Sequence, residues 1–167
     1  MACDYCDLLP RALYEDAIAA VIIPKKPATP GHLIVVPKGH HTILEEAPDN
    51  VIEHCMLVAN KTSIVLFEAF GGGGTNIIVQ NGIASGQSVP HFSINVLPRK
   101  DGDGLSFKWQ PGKLEEQKMN EVHVTLKEEC DYIGQPGEEK KPEMKKEEKK
   151  IDYSEENYLI RQLRRLP

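Results

Sequence analysis

Gly86-Gln87-Ser88-Val89-Pro90-His91-Phe92-Ser93-Ile94-Asn95-Val96-Leu97-Pro98 is the stretch that decides the fold. Residues 91–97 alternate in polarity. Side chains on a strand switch faces at every residue, so Phe92, Ile94 and Val96 point one way and His91, Ser93 and Asn95 the other. The first set is a core face. The second is a polar row, fed by a loop over 81–87 in which Gly82 and Gly86 let the backbone come close to an anion.

Working upstream, Asn76–Gln80 is a β-rich run. Before it, Pro48-Asp49-Asn50 opens a segment in which Val51, Ile52, Cys55, Met56 and Ala59 stand near helical spacing. The spacing predicts a helix to about Phe70, stopped by Gly71–Gly74. No G-K-S/T follows those glycines, so they are a helix stop and turn and not a phosphate loop. His32–Pro37 is a short apolar run that predicts a buried strand. Lys25–Gly31 is a breaker-rich loop. Arg11–Ile23 carries two β-favouring pieces with Glu15-Asp16 as a hairpin turn. Downstream, Lys113–Ile133 predicts a second helix, and Gln135–Lys150 is a linker of Glu and Lys blocks. Asp152–Pro167 closes with a short amphipathic helix. The expected organisation is an α+β domain over 1–133, a charged linker over 134–151 and a helical appendage over 152–167.

Four segments resemble one family in the right order. The opening stretch resembles the signature G-Q-x-V-x-H-x-H-x-H of the histidine triad (HIT) family. Pro30-Gly31-His32-Leu33-Ile34-Val35-Val36-Pro37-Lys38-Gly39-His40 is similar to its G-H-x-L-V-I-P-K-x-H strand. Asn76-Ile77-Ile78-Val79-Gln80-Asn81-Gly82 is similar to its N-x-x-x-x-N-G segment, and Trp109-Gln110-Pro111-Gly112 to its W-P-P-G element. The resemblance covers roughly residues 3–112. It implies an antiparallel sheet of about five strands with helices packed against it. It also implies a nucleotide or phosphate pocket lined by His32, Asn81, Gly86, Gln87, Ser88, Val89, Ser93 and Asn95.

Two departures bear on activity. In the family the middle histidine attacks an α-phosphate, and the third helps bind that phosphate; Ser93 and Asn95 stand at those positions. A serine hydroxyl needs an adjacent base to become a nucleophile, and His32 is the candidate base. The family also places an aspartate eight residues before the G-H histidine, where it holds ribose hydroxyls. Here that position is Pro24, followed by Lys25 and Lys26, which can attract phosphate or an acidic partner.

Cys3 and Cys6 form a C-x-x-C pair, which in a cytosolic chain reads as a metal or redox site. A structural zinc needs four ligands. Metal-bearing members of the family supply the other two from the P-K-x-H histidine and the first triad histidine, which the resemblance carries to His40 and His91. A redox dithiol, and His41 in place of His40, remain open. His54 and His123 read as ordinary surface residues, and Cys55 and Cys130 as buried, unreactive thiols.

The net charge, 20 − 25 = −5, excludes a basic nucleic-acid binder as a whole; only Arg161, Arg164 and Arg165 of the appendage could touch nucleic acid. No apolar run of about 18 residues predicts a membrane span. The acidic residues in MACDYCDLLPRALYED argue against a signal peptide, so a cytoplasmic protein is expected. Tyr158, Leu159, Leu163 and Leu166 share a helical stripe that cannot bury itself alone. The resemblance further implies a homodimer sharing one extended sheet. Three functions follow as expectations: a zinc-stabilised binder of nucleotide or phosphate without histidine-nucleophile turnover, a hydrolase using other chemistry, and an interaction module with a vestigial pocket.

Overall fold

A computed structural model of the chain describes residues 3–71, 73–130 and 133. The expected linker and C-terminal helix lie outside the described residues. The described residues divide into two units, one ending at Leu105 and the other beginning at Ser106.

The first unit is a five-stranded antiparallel sheet with a long helix. Its elements are β1 (Tyr14–Glu15), β2 (Ala19–Ile22), β3 (Leu33–Pro37), α1 (Asp49–Phe70), β4 (Gly74–Val79) and β5 (Ile94–Arg99). The strand order is β1-β2-β3-β5-β4, so β4 is an edge and β5 lies between β3 and β4. The register sets Ile34 opposite Asn95 and Ile78 opposite Asn95 on the other side. Period-two alternation splits the strands into two faces. Ala19, Val21, Leu33, Val35, Ile94 and Val96 pack under Cys55, Val58, Ala59 and Leu66 of α1, and Phe92 joins them. Ala20, Ile22, Ile34 and Val36 face the other way and are covered by Tyr5, Leu8, Leu9 and Ala12. A 3-10 turn over Cys6–Arg11 carries most of that cover.

The helix starts after Pro48, whose carbonyl accepts from the Val51 and Ile52 amides. It stops where Gly71 takes a left-handed conformation (φ 57°) and its amide closes on the Phe67 carbonyl. The expected run of stop glycines is shorter than the sequence implied, because Gly74 already begins β4. The triad strand begins at Ile94 and not at His91; the His91 and Phe92 amides bond to the Val89 and His41 carbonyls instead of to a neighbouring strand. The face assignment of residues 91–96 holds regardless.

Two further expectations are corrected. His54 is not an unpartnered surface residue: its Nε2 lies 2.7 Å from Asp16 Oδ2. Asp16 also accepts from the Ile18 and Ala19 amides at 2.8 Å each, so one carboxylate shapes the β1–β2 turn and ties it to α1. Cys130 is exposed, whereas Cys55 is buried. Cys130 lies just past the helix over 116–129, where no apolar periodicity hides it, which a single residue's type does not reveal. In the second unit, α2 spans Glu116–Glu129, shorter at both ends than the predicted 113–133, and its residues are exposed.

Candidate functional site

The polar row meets two environments. At its start, His91 is fully buried. Its Nε2 lies 3.0 Å from the Pro37 carbonyl and donates to it, which leaves the Nδ1 lone pair pointing elsewhere. That lone pair faces Cys3 Sγ at 3.4 Å and Cys6 Sγ at 3.5 Å, and Cys6 Sγ lies 3.5 Å from His40 Nδ1. The four ligand atoms of Cys3, Cys6, His40 and His91 all lie within 4.8 Å of one another. A tetrahedral ion with bonds of about 2.3 Å to sulfur and about 2.0–2.1 Å to nitrogen separates sulfur from nitrogen by about 3.6 Å. The observed spacings match. The Pro37 carbonyl is the outer partner that fixes the ring and its tautomer.

Electrostatics agree with that reading. Burial, with smaller contributions from His40 and His41, pushes His91 down to about 4, so it is neutral and free to ligate at physiological pH. Burial, with Cys3 beside it, pushes the Cys6 thiol up to about 11. A thiolate there needs a cation to support it. The structure therefore brings together all four expected ligands, and His41 is not among them.

Further along the row the polar atoms are spent on one another. The Ala28 amide donates to His32 Nδ1 at 3.1 Å, which makes Nδ1 an acceptor and puts the proton on Nε2. His32 Nε2 then donates to Asn95 Oδ1 at 3.1 Å. Asn95 Nδ2 in turn donates a long bond, 3.4 Å, to the Ile78 carbonyl. Both nitrogens of His32 are committed. Burial also holds its pKa below the usual histidine range. A general base for Ser93 would have to abandon one of those bonds.

The loop is similarly braced. Asn81 Oδ1 accepts from the Leu44 amide at 3.0 Å, and its Nδ2 donates to Glu45 at 2.7 and 2.8 Å. Gln87 Oε1 accepts from the Gly82 amide, and its Nε2 donates to the Thr42 and Val89 carbonyls. Gly86 has φ 91°, and a Cβ there would meet Gln80 Nε2 at 2.6 Å, so only glycine fits. The Ser88 and Val89 amides have no partner among the described residues. Lys25 is drawn to Asp4 at 2.6 Å, and Lys26 has no ion pair among the described residues.

One contact at the site carries no motif in the sequence. The Tyr5 ring meets the His91 imidazole nearly edge-on, with centroids 6.1 Å apart. The only signal that could have found it is the position of Tyr5 inside the C-x-x-C pair.

Comparison with known proteins bears on this geometry. An adenylylsulfatase of Arabidopsis thaliana is 36% identical over 93 residues, 56% of this chain and 47% of that protein, so the chain spans about half the length of that relative. A histidine triad nucleotide-binding protein of Candida albicans superposes with a TM-score of 0.69 at 26% identity, covering 79% of this chain and 99% of that one. A zinc-bound histidine triad family protein of Mycobacterium smegmatis superposes at 0.59 with 27% identity, covering 78% and 98%. The model of the HIT domain matches residues 10–102, more than half of the sequence, and the chain belongs to the HIT domain family.

Proposed function

We propose that this chain is a zinc-stabilised HIT-domain protein that binds a nucleotide or another phosphate ligand without histidine-nucleophile nucleotidyl transfer. The observation that carries the reading is the closed hydrogen-bond chain from Ala28 through His32 and Asn95 to Ile78, which offers no base to Ser93. Binding keeps its means. The unpartnered Ser88 and Val89 amides, beside Gly86, can converge on a phosphate oxygen, and the hydroxyls of Ser88 and Ser93 add neutral donors. Asn81 and Gln87 shape this cradle through their bonds to Leu44, Glu45, Gly82, Thr42 and Val89. The relatives support the ligand class, since one acts on an adenylyl compound and another binds nucleotide by name.

Zinc is the structural cofactor, held by Cys3, Cys6, His40 and His91. Two of these four side chains, His40 and His91, lie far from Cys3 and Cys6 in sequence, so the ion ties the N-terminal segment to the loop after β3 and to the approach to the triad strand. A cytoplasmic homodimer fits the surface of α1. Met56, Leu57, Ile64 and Phe67 are exposed on the side away from the sheet, so the helix is apolar on more of its circumference than one sheet can cover. The edge strand β4 lies in the same unit and can continue into a second copy's sheet.

Titration of the zinc-loaded protein with AMP, ribose 5-phosphate and inorganic phosphate, followed by NMR, tests the binding reading. Shifts at 86–89 and 93 at micromolar to millimolar concentration are expected, since neutral donors replace imidazolium at about 1 kcal/mol per lost charge assistance. No shift at millimolar concentration of any of the three overturns it.

A further inference from the structure

Between α1 and the β1 side of the sheet lies a groove of about 600 Å³ that neither the metal cluster nor the phosphate loop uses. Leu13, Tyr14 and Leu33 line it from the sheet, and Leu57, Lys61 and Val65 from the helix. The Asp16–His54 pair joins its two walls. Leu13, Leu57 and Val65 are each 61% exposed, so an apolar trough stays open to water. Apolar surface gathered in one place and rimmed by polar groups marks a face that something covers.

A second copy joined at β4 leaves this face bare, because β1 stands at the opposite edge of the sheet. The helix separates the two faces as well. His54, Val58, Lys61 and Val65 form one ridge of α1, and Met56, Asn60 and Phe67 form another about half a turn around it.

The chain itself carries a segment of matching size. Beyond Ile133 it continues through the linker to the stripe Tyr158, Leu159, Leu163 and Leu166. At the helical rise that stripe is about 12 Å long, against about 16 Å for the groove wall from His54 to Val65. A helix confined to residues 152–167 is marginal by itself and needs a surface for its stripe. The linker over 134–151 spans up to about 60 Å when extended, several times the length of the groove. Charges agree in order and spacing. Lys61 and Glu68 stand about two turns apart on the exposed side of α1, and neither has an ion pair among the described residues. Glu155 and Glu156 precede Arg164 and Arg165 by about two and a half turns. A tail laid parallel to α1 therefore brings acid to Lys61 and arginine to Glu68 together, whereas an antiparallel tail sets like charges side by side.

We propose that the C-terminal segment 152–167 folds back as a helix along this groove, parallel to α1, with Leu159 and Leu163 over its apolar floor. The groove is thus an internal docking site, and the linker is the tether that returns the tail to its own domain.

Hydrogen exchange of the zinc-loaded full chain, read by mass spectrometry, tests this. Amides over 157–166 are expected to exchange at least about tenfold more slowly than in a free peptide of the same sequence. Val65→Asp in the groove and Leu159→Asp in the tail should each return them to the peptide rate. Because Val65 is exposed, its replacement should leave the zinc content and the exchange of Val58–Leu66 unchanged, which separates lost docking from lost folding. Glu68→Arg should speed exchange of the tail, and adding Arg164→Glu and Arg165→Glu should recover part of the protection. A tail that exchanges at the peptide rate in the wild type, or one whose protection survives Val65→Asp, overturns the proposal. So does full protection of the Val65→Asp tail on mixing with Leu159→Asp chains, since the tail then occupies the groove of a second copy.

Discussion

At one end of the polar row His91 offers a lone pair to two thiols, its other nitrogen held by Pro37. At the other end the Asn95 amide is tied into the fold, its oxygen accepting from His32 and its nitrogen donating to the Ile78 carbonyl. The two residues share a face and are both buried. What separates them is where their polar atoms point. Four ligand atoms that converge on one point make a site that gains from an ion. Polar atoms that close on each other make a strut. The row thus teaches that burial of polar groups does not identify function; unspent valence does.

The comparison breaks most visibly at the metal end. Cys6→Ser, or removal of metal from the wild type, is expected to cost at least about 3 kcal/mol, since a ligand set spanning three segments gives its binding energy to folding. Thermal denaturation measures the loss, and elemental analysis should find one zinc per chain. A metal-free protein of unchanged stability would dissolve the contrast between the two ends.

Acid sharpens it next. In the metal-free protein the folded state protonates His91 only near pH 4, while an unfolded chain does so near the ordinary histidine value. Between those values the unfolded state holds more protons, so stability falls as pH falls, by up to about 3 kcal/mol in all by pH 4. Chemical denaturation from pH 7 to 4 reads this slope. With zinc bound the loss should wait for proton-driven release of the ion, and identical profiles for the two forms would mean that His91 is not a ligand.

The strut is the third target. Asn95→Ala leaves His32 Nε2 buried without its acceptor and should cost about 1–3 kcal/mol. Zinc stoichiometry should be unchanged, which separates the two ends of the row in one experiment. The smallest expected effect is none at all: Ser93→His incubated with a labelled adenosine phosphoramidate should give no covalent adduct by mass analysis. The new imidazole would still lack a charged partner at Asn95. A stable adduct on that histidine would show that the surrounding pocket retains the whole of the chemistry.

Much of this was legible in the residues. Alternation over 91–96 assigns Phe92, Ile94 and Val96 to the core because a strand has no other way to place them. The C-x-x-C pair announces a metal or redox site by ligand type alone. That a serine, Ser93, stands where the family's signature has its middle histidine is read directly from residues 86–95. The order of the four family segments then selected His40 and His91, which no local spacing connects to Cys3 and Cys6.

Other features were decided only when the chain closed on itself. That His32 is a strut and not a base depends on the Ala28 amide and Asn95, one four residues away and one 63. That Asn81 and Gln87 brace the loop depends on Glu45 and Thr42, brought over by the segment before α1. His54 acquired a partner because the β1–β2 turn folds onto α1, and Tyr5 met the His91 ring because the N-terminal segment packs on one face of the sheet. Sequence sets which donors and acceptors exist and which face a strand gives them. Only the tertiary structure sets which of them meet, since a hydrogen bond demands a few tenths of an ångström and a direction that no residue type encodes.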